Sequence, residues 1–297
     1  MAMNRTVRTW AWSAVRPLVD RASRAYVAGT DLASALRVSR EMQDHGVACT
    51  VCFWDGPGDN PESTAGHYLN IIEAVSRKKI DGYLSVKAPA LKYSRRLFGH
   101  VLDEARRQEV RMHFDALQPE TADETFSLIR DLRPRDGDAG CTLPGRWRRS
   151  VADADGAIEL GLNVRVVKGQ WVDTEDPERD PRAGFLEVID RLAGKAKSVA
   201  VATHDATLAS EALMRLRASS TPCELELLFG LPARRSLPIA TDLAVPVRYY
   251  IPYGRAWLPY ALRQLKKTPR NAWWAIHDVL FPTPEPSALP ALRFSKR

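Results

Sequence analysis

The chain has 297 residues, of which 45% are hydrophobic and 27% are charged, and its formal net charge is +7 at pH 7. This composition indicates a globular protein with one large α/β domain or two small ones. No stretch is long and apolar enough to span a bilayer, and the N-terminus lacks the apolar block of a signal peptide. The positive charge favours anionic partners or an anionic membrane surface, but the cations are dispersed and form no recognisable nucleic-acid-binding module.

Short apolar segments with the length and composition of β-strands recur along the chain. The predicted strands are Ala48–Trp54, Gly82–Lys87, Arg111–Asp115, Gly140–Leu143, Val164–Lys168, Val199–Thr203, Glu224–Phe229 and Arg248–Ile251. Between them, apolar residues follow helical spacing, as at Leu32, Ala35, Leu36 and Met42, at Leu97, Val101 and Ala105, and at Leu208, Ala212 and Leu216. Asp31 and Asp205 stand where two of these helices would begin and are predicted to cap them.

The alternation of strand and helix predicts the fold class. Eight strands separated by helical segments in 297 residues favour an α/β fold of the (β/α)8 TIM-like barrel type. The alternative is a doubly wound open sheet, although no GxGxxG motif follows the first strand. We expect an N-terminal helical extension over residues 1–30, a barrel over residues 31–281, and a Pro-rich C-terminal tail over residues 282–297.

The cysteines do not suggest a metal site. Cys49 and Cys52 have CxxC spacing, but they lie within an apolar strand-like segment, and no second Cys/His pair follows at zinc spacing. Side chains alternate across a strand, so residues three apart point to opposite faces. We therefore expect buried, reduced thiols in a cytoplasmic protein, and no metal.

The fifth predicted strand is the most informative segment, because LNVRVVKGQW places Arg165 and Lys168 within an apolar sequence. The alternation of side chains puts these two cations on opposite faces. Burial of a cation is costly unless an anion compensates it, so a buried cation here requires an anion nearby. The alternative to a functional role is a structural ion pair.

Ionisable and polar residues also stand at the ends of other strands, where the active site of a (β/α)8 barrel lies. The residues at these ends are Lys87, Asp115, Lys168, Thr203, His204 and Tyr250. Each could be a capping or pairing residue, and Lys87 with Asp115 could form a plain salt bridge between neighbouring strands. The ring as a whole favours a functional site.

Six motifs occur in an order that points to one family. They are SVKAPAL (Ser85–Leu91), FDA (Phe114–Ala116), VRVVKGQW (Val164–Trp171), ATHD (Ala202–Asp205), ELELLFG (Glu224–Gly230) and RYYIPYG with WLPYALRQL (Arg248–Leu265). From about Arg24 to Asn271 the chain resembles the proline dehydrogenase family. The resemblance implies an FAD-dependent barrel that oxidises L-proline to Δ1-pyrroline-5-carboxylate by hydride transfer to flavin N5.

The resemblance also implies roles for individual residues. Catalytic roles fall on Lys87, which pairs with the substrate carboxylate, on Asp115 beside it, and on Arg165 near the flavin N5 edge. The residues implied in substrate binding are Lys87, Tyr250, Tyr260, Arg263 and Gln264. The residues implied in cofactor binding are Arg165, Lys168, Gly169, Trp171, Thr203 and His204.

Partners and location follow from the same resemblance. Family members commonly pass electrons to membrane quinone, so we expect a quinone-type acceptor. We expect a cytoplasmic protein that can contact the inner membrane peripherally, which the basic surface allows. No aldehyde dehydrogenase domain follows the predicted barrel, so a separate aldehyde dehydrogenase is expected to handle the product.

Four positions depart from the family pattern. Gln264 replaces the second arginine of the carboxylate clamp, Lys267 replaces an acid on the same helix, Arg24 replaces an acid typical of the gate, and Pro144 replaces a flavin-contacting glutamine. An amide binds a carboxylate less strongly than a bidentate guanidinium does, so carboxylate affinity should fall. The added positive charge at the gate favours a substrate with extra negative charge.

Three functions therefore stay open: oxidation of proline, oxidation of another cyclic or secondary amino acid, and a barrel without this oxidation. The last would be a lyase that uses Lys87 or Lys168 as a Schiff-base amine, or a binding protein. No general base for the substrate amine is obvious in the sequence, and water is the candidate.

Overall fold

The computed structural model describes residues 28–56, 58–135 and 137–254. The helices are α1 (Leu32–Asp44), α2 (Pro61–Arg77), α3 (Arg95–Arg107), α4 (Ala122–Leu132), α5 (Ser150–Glu159), α6 (Pro181–Leu192), α7 (Ala206–Ala218) and α8 (Leu237–Asp242). The strands are β1 (Ala48–Trp54), β2 (Gly82–Val86), β3 (Met112–Phe114), β4 (Ala139–Pro144), β5 (Asn163–Val167), β6 (Ser198–Ala202), β7 (Cys223–Leu228) and β8 (Val247–Gly254). Helix and strand alternate throughout, beginning with α1.

The strands form one closed parallel barrel in chain order. β8 pairs with β1 from Ala48 opposite Arg248 to Trp54 opposite Gly254, and this pairing closes the sheet. The fold is therefore the predicted (β/α)8 barrel and not the doubly wound open sheet. The ends of the first seven strands lie within one residue of the predicted ends, but β8 continues to Gly254, beyond its predicted end at Ile251.

The helices cover the outer face of the barrel, and the inner face is polar. On β5, Val164 and Val166 are buried against the helices, whereas Arg165 between them points into the barrel. On β1, the Cys49 thiol lies 3.6 Å from a carbonyl oxygen of α1, and the Cys52 thiol lies inside the barrel. The prediction that these two cysteines are buried on opposite faces of one strand is confirmed.

Side-chain caps fix where helices begin. The Asp31 carboxylate accepts a hydrogen bond from the N–H of Ser34 at 2.8 Å, and the Asp205 carboxylate accepts one from the N–H of Leu208 at 3.2 Å. Each bond satisfies a backbone donor that has no partner within the helix. The prediction that these two aspartates cap helices is confirmed.

Helix α1 packs against both β8 and β1, although it precedes the first strand of the barrel. It fills the space beside β8 where the outer ring of a (β/α)8 barrel places a helix that follows the last strand. The N–H of Gly254 donates to the carbonyl oxygen of Gly29 at 3.2 Å, which ties the segment before α1 to the carboxyl end of β8.

Two glycines bring the end of β4 close to α6. A Cβ at Gly145 would overlap the backbone of Phe185, and a Cβ at Gly184 would overlap the carbonyl oxygen of Gly145. Arg179 Nε donates to that same carbonyl oxygen at 3.0 Å. The loop between β5 and α6 is therefore fixed against the carboxyl end of β4.

None of the helices in the described part of the chain has the length and hydrophobicity needed to cross a membrane. Most of the predicted N-terminal extension, the predicted end of the barrel after Gly254 and the Pro-rich tail lie outside the described residues. The domain boundaries at residues 30, 281 and 282 therefore stay predictions.

Candidate active site

Asp115 is the centre of a hydrogen-bonded cluster at the carboxyl ends of the strands. Its Oδ1 accepts from Ser85 Oγ at 2.6 Å and from Arg165 Nη1 at 2.8 Å. Its Oδ2 accepts from the Tyr250 hydroxyl at 2.7 Å and lies 3.7 Å from the Sγ of Cys52. Side chains from β1, β2, β5 and β8 thus converge on the carboxylate that follows β3.

Arg165 lies deeper in the barrel and is 3% exposed. Its Nε donates to Glu226 at 2.7 Å and its Nη1 donates to Asp115 at 2.8 Å, so two carboxylates compensate one buried guanidinium. Burial alone would lower the pKa of this guanidinium, but Glu226, Tyr83 and Asp115 outweigh burial and hold the pKa well above its usual value. The prediction that a buried cation in this strand requires an anion is confirmed.

Glu226 is a site residue that the sequence interpretation missed. It is 2% exposed, and its Oε1 accepts from Thr50 Oγ1 at 3.0 Å. The motif that contains it supported the family resemblance, but no role was assigned to its acids. A signal was present, because Glu224 and Glu226 are two apart in an apolar strand and therefore share one face, which is the inner one.

A second ion pair lies further from the mouth, between Arg248 Nε and Glu224 at 2.7 Å. The centre of the Tyr83 ring is 4.4 Å from the guanidinium carbon of Arg248 and 5.9 Å from that of Arg165. Branched aliphatic side chains usually fill the interior of such barrels. Here charged and aromatic side chains fill it instead, so fixed charges lie below the mouth.

Tyr250 lies in the middle of β8 and not at its end, because the strand continues to Gly254. Its ring centre is 5.1 Å from the guanidinium carbon of Arg165. Burial, together with the negative charge of Asp115, raises the pKa of the Tyr250 phenol well above its usual value. Tyr250 therefore remains a proton donor at neutral pH.

Lys87 directly follows β2 and reaches toward β1. Its Nζ donates to the carbonyl oxygen of Phe53 at 2.8 Å and to Asp55 Oδ1 at 3.2 Å, and it lies 5.9 Å from the centre of a Trp54 ring. The salt bridge between Lys87 and Asp115 that the sequence left open is wrong, because Lys87 pairs with Asp55 while Asp115 already accepts three hydrogen bonds. Lys87 is mostly buried, with 14% of its side chain exposed.

Two cations share one carboxylate at the edge formed by β5 and β6. Lys168 Nζ lies 3.5 Å from Asp205 Oδ2, and Arg182 Nη1 donates to the same oxygen. The Lys168 side chain is 42% exposed, so the two cations of the fifth-strand motif, Arg165 and Lys168, lie in different environments. Arg182 is a second residue that the sequence interpretation did not select.

Gly169 has a φ of 91°, a backbone conformation that favours glycine. A Cβ at this position would lie 2.8 Å from the Cβ of Pro144 at the end of β4. Arg146 Nε donates to the Gly169 carbonyl oxygen at 3.2 Å, and Trp147 Nε1 donates to the Trp171 carbonyl oxygen at 3.0 Å. The loop after β5 therefore lies directly against the end of β4.

The hydrogen bonds of His204 define its protonation. The backbone N–H of Leu228 donates to Nε2 at 2.9 Å, so Nε2 is an acceptor, and Nδ1 carries the proton that is donated to the Pro232 carbonyl oxygen at 3.1 Å. Burial lowers the pKa of His204 and favours this neutral form. Thr203 Oγ1 accepts from the N–H of Asp205 at 3.1 Å, so both residues are fixed at the end of β6.

The predicted site residues thus fall into two groups and a remainder. Asp115, Arg165 and Tyr250 form one cluster, with Lys87 on its β1–β2 side. The group at the β5–β6 edge consists of Lys168, Gly169, Trp171, Thr203 and His204. The remainder, which lies outside the described residues, is Tyr260, Arg263 and Gln264, together with the departures Arg24 and Lys267.

A closed parallel barrel with a carboxylate at the carboxyl end of one strand, bonded to guanidinium and phenol groups just inside the barrel, has the architecture of a (β/α)8 enzyme. No family model matches the chain. The chain is 24% identical over 297 residues to proline dehydrogenase of Deinococcus radiodurans, a match that covers 90% of this chain and 95% of the relative. It is 22% identical over 274 residues to proline dehydrogenase 1 of Bacillus subtilis strain 168, a match that covers 87% of this chain and 90% of the relative.

Solved structures of the same fold include chains of proline utilization A (PutA). PutA from Bdellovibrio bacteriovorus, inactivated by N-propargylglycine, matches 85% of this chain with a TM-score of 0.72 and 15% identity. A mutant PutA from Bradyrhizobium japonicum matches 82% with a TM-score of 0.66 and 17% identity. This chain covers only 33% and 30% of these PutA chains, and the likeness shows the fold. The resemblance to the proline dehydrogenase family, stated from the six motifs, is confirmed by the curated relatives.

Proposed function

We propose that this protein is an FAD-dependent dehydrogenase that oxidises L-proline to Δ1-pyrroline-5-carboxylate. The observation that carries the proposal is the convergence of Ser85, Arg165 and Tyr250 on the Asp115 carboxylate at the mouth of the barrel. A structural ion pair alone does not require this many donors at the end of the barrel where active sites lie. The similarity to proline dehydrogenases over most of the chain supports the same function.

The β5–β6 edge fits the pyrophosphate of a flavin dinucleotide. Lys168 and Arg182 both contact the carboxylate of Asp205, so two cations with charge-assisted donors stand together where a diphosphate could bind. Gly169, whose φ is positive and whose missing side chain faces Pro144, lets the backbone next to Lys168 lie against the end of β4. These residues would hold the anionic part of the cofactor.

The floor of the mouth fits the polar edge of a flavin ring. Arg165 is the buried cation there. The Thr203 hydroxyl accepts from Asp205 and can still donate to a ligand, whereas both ring nitrogens of the neutral His204 are used within the protein, so His204 adds no charge there. When bound, FAD supplies the acceptor for the hydride, and the barrel supplies position and electrostatic field. Pro144 has no N–H and no polar side-chain group, so the side-chain contact that a glutamine makes in the family would be absent here.

Lys87 is the described residue that would bind the substrate carboxylate. An ammonium has three N–H donors, and the bonds to Phe53 and Asp55 use two of them. The third can donate to a carboxylate, while Arg263 is proposed to hold the opposite side. Because a small amino acid has one strong anchoring group, this clamp would fix the position of the carbon that is oxidised.

The substrate amine must lose a proton before hydride can leave. The cations Lys87 and Arg263 would disfavour the ammonium form of the bound substrate. We assign the proton to solvent water, because the oxygens of Asp115 already accept three hydrogen bonds. The electrons would then pass to a quinone-type acceptor, with the cytoplasmic protein in peripheral contact with the inner membrane, and a separate aldehyde dehydrogenase would oxidise the product.

The Schiff-base alternative is not favoured by the structure. Lys87 and Lys168 both act as ammonium partners in ion pairs, with Asp55 and Asp205. A Schiff base requires the free amine of the lysine. Borohydride reduction in the presence of a carbonyl substrate would trap a covalent adduct if the alternative were right, and we expect none.

The first test is an absorbance titration of the purified protein with FAD and then, without oxygen, with L-proline. We expect bound flavin that proline bleaches. If only a cyclic secondary amino acid with a second carboxylate bleaches the flavin, that compound and not proline is the substrate. Failure to take up FAD would contradict the proposal. N-propargylglycine, the inactivator of the Bdellovibrio PutA, gives an independent readout, since proline should protect against loss of activity.

The second test separates the proposed roles of two arginines. Arg263→Met should raise KM for proline by roughly tenfold or more and leave FAD affinity nearly unchanged, because a charge-assisted bond to the carboxylate is lost. Arg165→Lys should instead slow flavin reduction, since lysine lacks the planar fork that joins the two buried carboxylates. Stopped-flow absorbance and FAD titration measure both. Wild-type behaviour of both variants would show that the site is wrongly assigned.

A further inference from the structure

We propose that Glu226 sets the effective charge of Arg165 and thereby lowers the reduction potential of the flavin at the mouth. Glu226 would be a positioning residue, since it acts through Arg165 and does not touch the substrate. The inference rests on the proposed function, in which a flavin lies next to Arg165.

Glu226 is held in one orientation by its surroundings. Its Oε1 accepts from Thr50 Oγ1 at 3.0 Å, and its Oε2 accepts from Arg165 Nε at 2.7 Å. The hydroxyl of Tyr83 lies 3.5 Å from Oε2. The side chain is 2% exposed, so solvent screens its charge little. The full negative charge is therefore felt at the guanidinium.

The buried ion pairs of the barrel interior contain more carboxylates than guanidiniums. Arg165 and Arg248 are paired inside the barrel with the three acids Asp115, Glu224 and Glu226, and Arg248 also lies 4.0 Å from the exposed Asp81. Arg165 alone contacts two of these acids, so its positive charge is more than offset. Of its nitrogens, Nη2 is bonded to neither carboxylate and lies 3.4 Å from the Tyr83 hydroxyl.

This offset changes what Arg165 does to a nearby flavin. A lone buried cation stabilises the electron density that arrives on the ring during reduction. A carboxylate bonded to that cation cancels much of the stabilisation, so reduced flavin is less favoured. The lower potential favours electron transfer from the reduced flavin to its acceptor over reduction of the flavin by the substrate.

The test compares three variants of the FAD-loaded protein by spectroelectrochemical titration. Glu226→Gln preserves shape and can still accept from Arg165 Nε, but it removes the charge. We expect the ratio of reduced to oxidised flavin at a fixed potential to rise at least tenfold, which is about 30 mV for a two-electron couple. Glu226→Asp keeps the charge, but its side chain is one methylene shorter, so the carboxylate lies further from Arg165. We therefore expect a smaller rise in the ratio of reduced to oxidised flavin, of about two- to fivefold.

Glu224→Gln is the matched control, because it makes the same chemical change two residues away on the same strand. Its carboxylate pairs with Arg248 and not with Arg165, so the ratio should change less than threefold. The proposal is overturned if Glu226→Gln changes the ratio no more than this control does. Should Glu226→Gln not fold, an unchanged or lower ratio in Glu226→Asp overturns it, and a rise supports it.

The two proposals fail in different ways. If the wild-type protein takes up no FAD, the proposed function fails, and this inference fails with it. If wild-type FAD is reduced by proline but the ratio does not respond to the Glu226 variants, the proposed function stands and only the charge-setting role of Glu226 is wrong. A purely structural role for Glu226 would lower thermal stability without moving the potential.

Discussion

The hydroxyl of Tyr250 is a neutral donor to Asp115, so it can be removed without changing the charge of the mouth. Tyr250→Phe deletes the 2.7 Å hydrogen bond, while Ser85 and Arg165 still hold the carboxylate. We expect kcat/KM for proline to fall by about tenfold, and the free energy of unfolding to fall by about 1 kcal/mol, the usual net value of one hydrogen bond. Steady-state kinetics and denaturant unfolding measure the two effects.

Tyr249→Phe provides the control for this prediction, because Tyr249 is the preceding residue on β8 and points outward into the hydrophobic core. The same hydroxyl deletion on the outer face should leave kcat/KM within twofold of wild type. If Tyr250→Phe behaves like Tyr249→Phe, the hydrogen bond to Asp115 has no part in catalysis.

At the scale of single residues, the sequence predicts the need for a partner better than it predicts the partner. An arginine in an apolar strand requires an anion, and this was evident from Arg165 and its neighbours alone. Its acceptors, Asp115 and Glu226, lie 50 and 61 residues away along the chain. Lys87 shows the same limit: its pairing with Asp55 depends on which acceptors other donors have already occupied.

At the scale of elements, the contact between β4 and α6 depends on two glycines, and one substitution tests it. Gly184→Ala would place a methyl group against the carbonyl oxygen of Gly145 and separate the helix from the strand end. Overpacking of this kind costs about 1–3 kcal/mol, which exceeds the gain in helix propensity from alanine. We expect a lower melting temperature and, because Gly145 is at the rim, weaker FAD binding.

Gly156→Ala is the matched control, since Gly156 also lies inside a helix but a Cβ added to it would meet no neighbouring group within 4 Å. The same change should raise the free energy of unfolding by up to about 1 kcal/mol, because alanine is the better helix former. Changes of opposite sign in the unfolding free energies of the two variants would confirm the close contact. Equal stabilisation of both variants would show that the contact between Gly184 and Gly145 does not constrain the barrel.

The ends of strands could be predicted to within one residue wherever an apolar segment stops. The carboxyl end of β8 could not be predicted in this way, and Pro252 shows why. Pro252 lacks an N–H, and a proline within a run argues for the end of a strand. In the barrel, its carbonyl oxygen still accepts from the N–H of Ala28 at 3.2 Å, and pairing with β1 continues through Gly254. The extension depends on a neighbour that only barrel closure brings alongside.

At the scale of the whole molecule, chain order fixes which strands are neighbours but not which inner side chains meet. Asp115 directly follows β3, and Arg165 and Glu226 lie on β5 and β7. Such layers from alternate strands arise from the stagger of a closed barrel. Alternation along each strand could indicate that these residues point inward. Their contact across the interior required the closed sheet.

The same closure buries His113 and partly buries His204, both in neutral form, which makes the stability of the whole barrel depend on pH. Burial lowers the pKa of His113 well below its usual value, and burial likewise lowers the pKa of His204. The unfolded chain takes up protons at these residues near pH 6.5, whereas the folded barrel takes them up only at lower pH. Because the unfolded state then binds more protons, stability falls as the pH falls below about 6.5.

The buried neutral His113 should lower the free energy of unfolding by about 1.4 kcal/mol per pH unit below this value. The Thr142 hydroxyl lies 3.0 Å from Nε2 of His113, and the amide of a glutamine can still reach it. We therefore expect the unfolding free energy of His113→Gln to fall less steeply than that of wild type between pH 6.5 and pH 5. Urea unfolding at several pH values measures the slope, and exposed His100 provides the control, since His100→Gln should leave it unchanged. If the unfolding free energy of wild type and of His113→Gln changed equally with pH, the folded barrel would accept a proton on His113 as readily as the unfolded chain does. The conclusion that His113 is buried in neutral form would then be wrong.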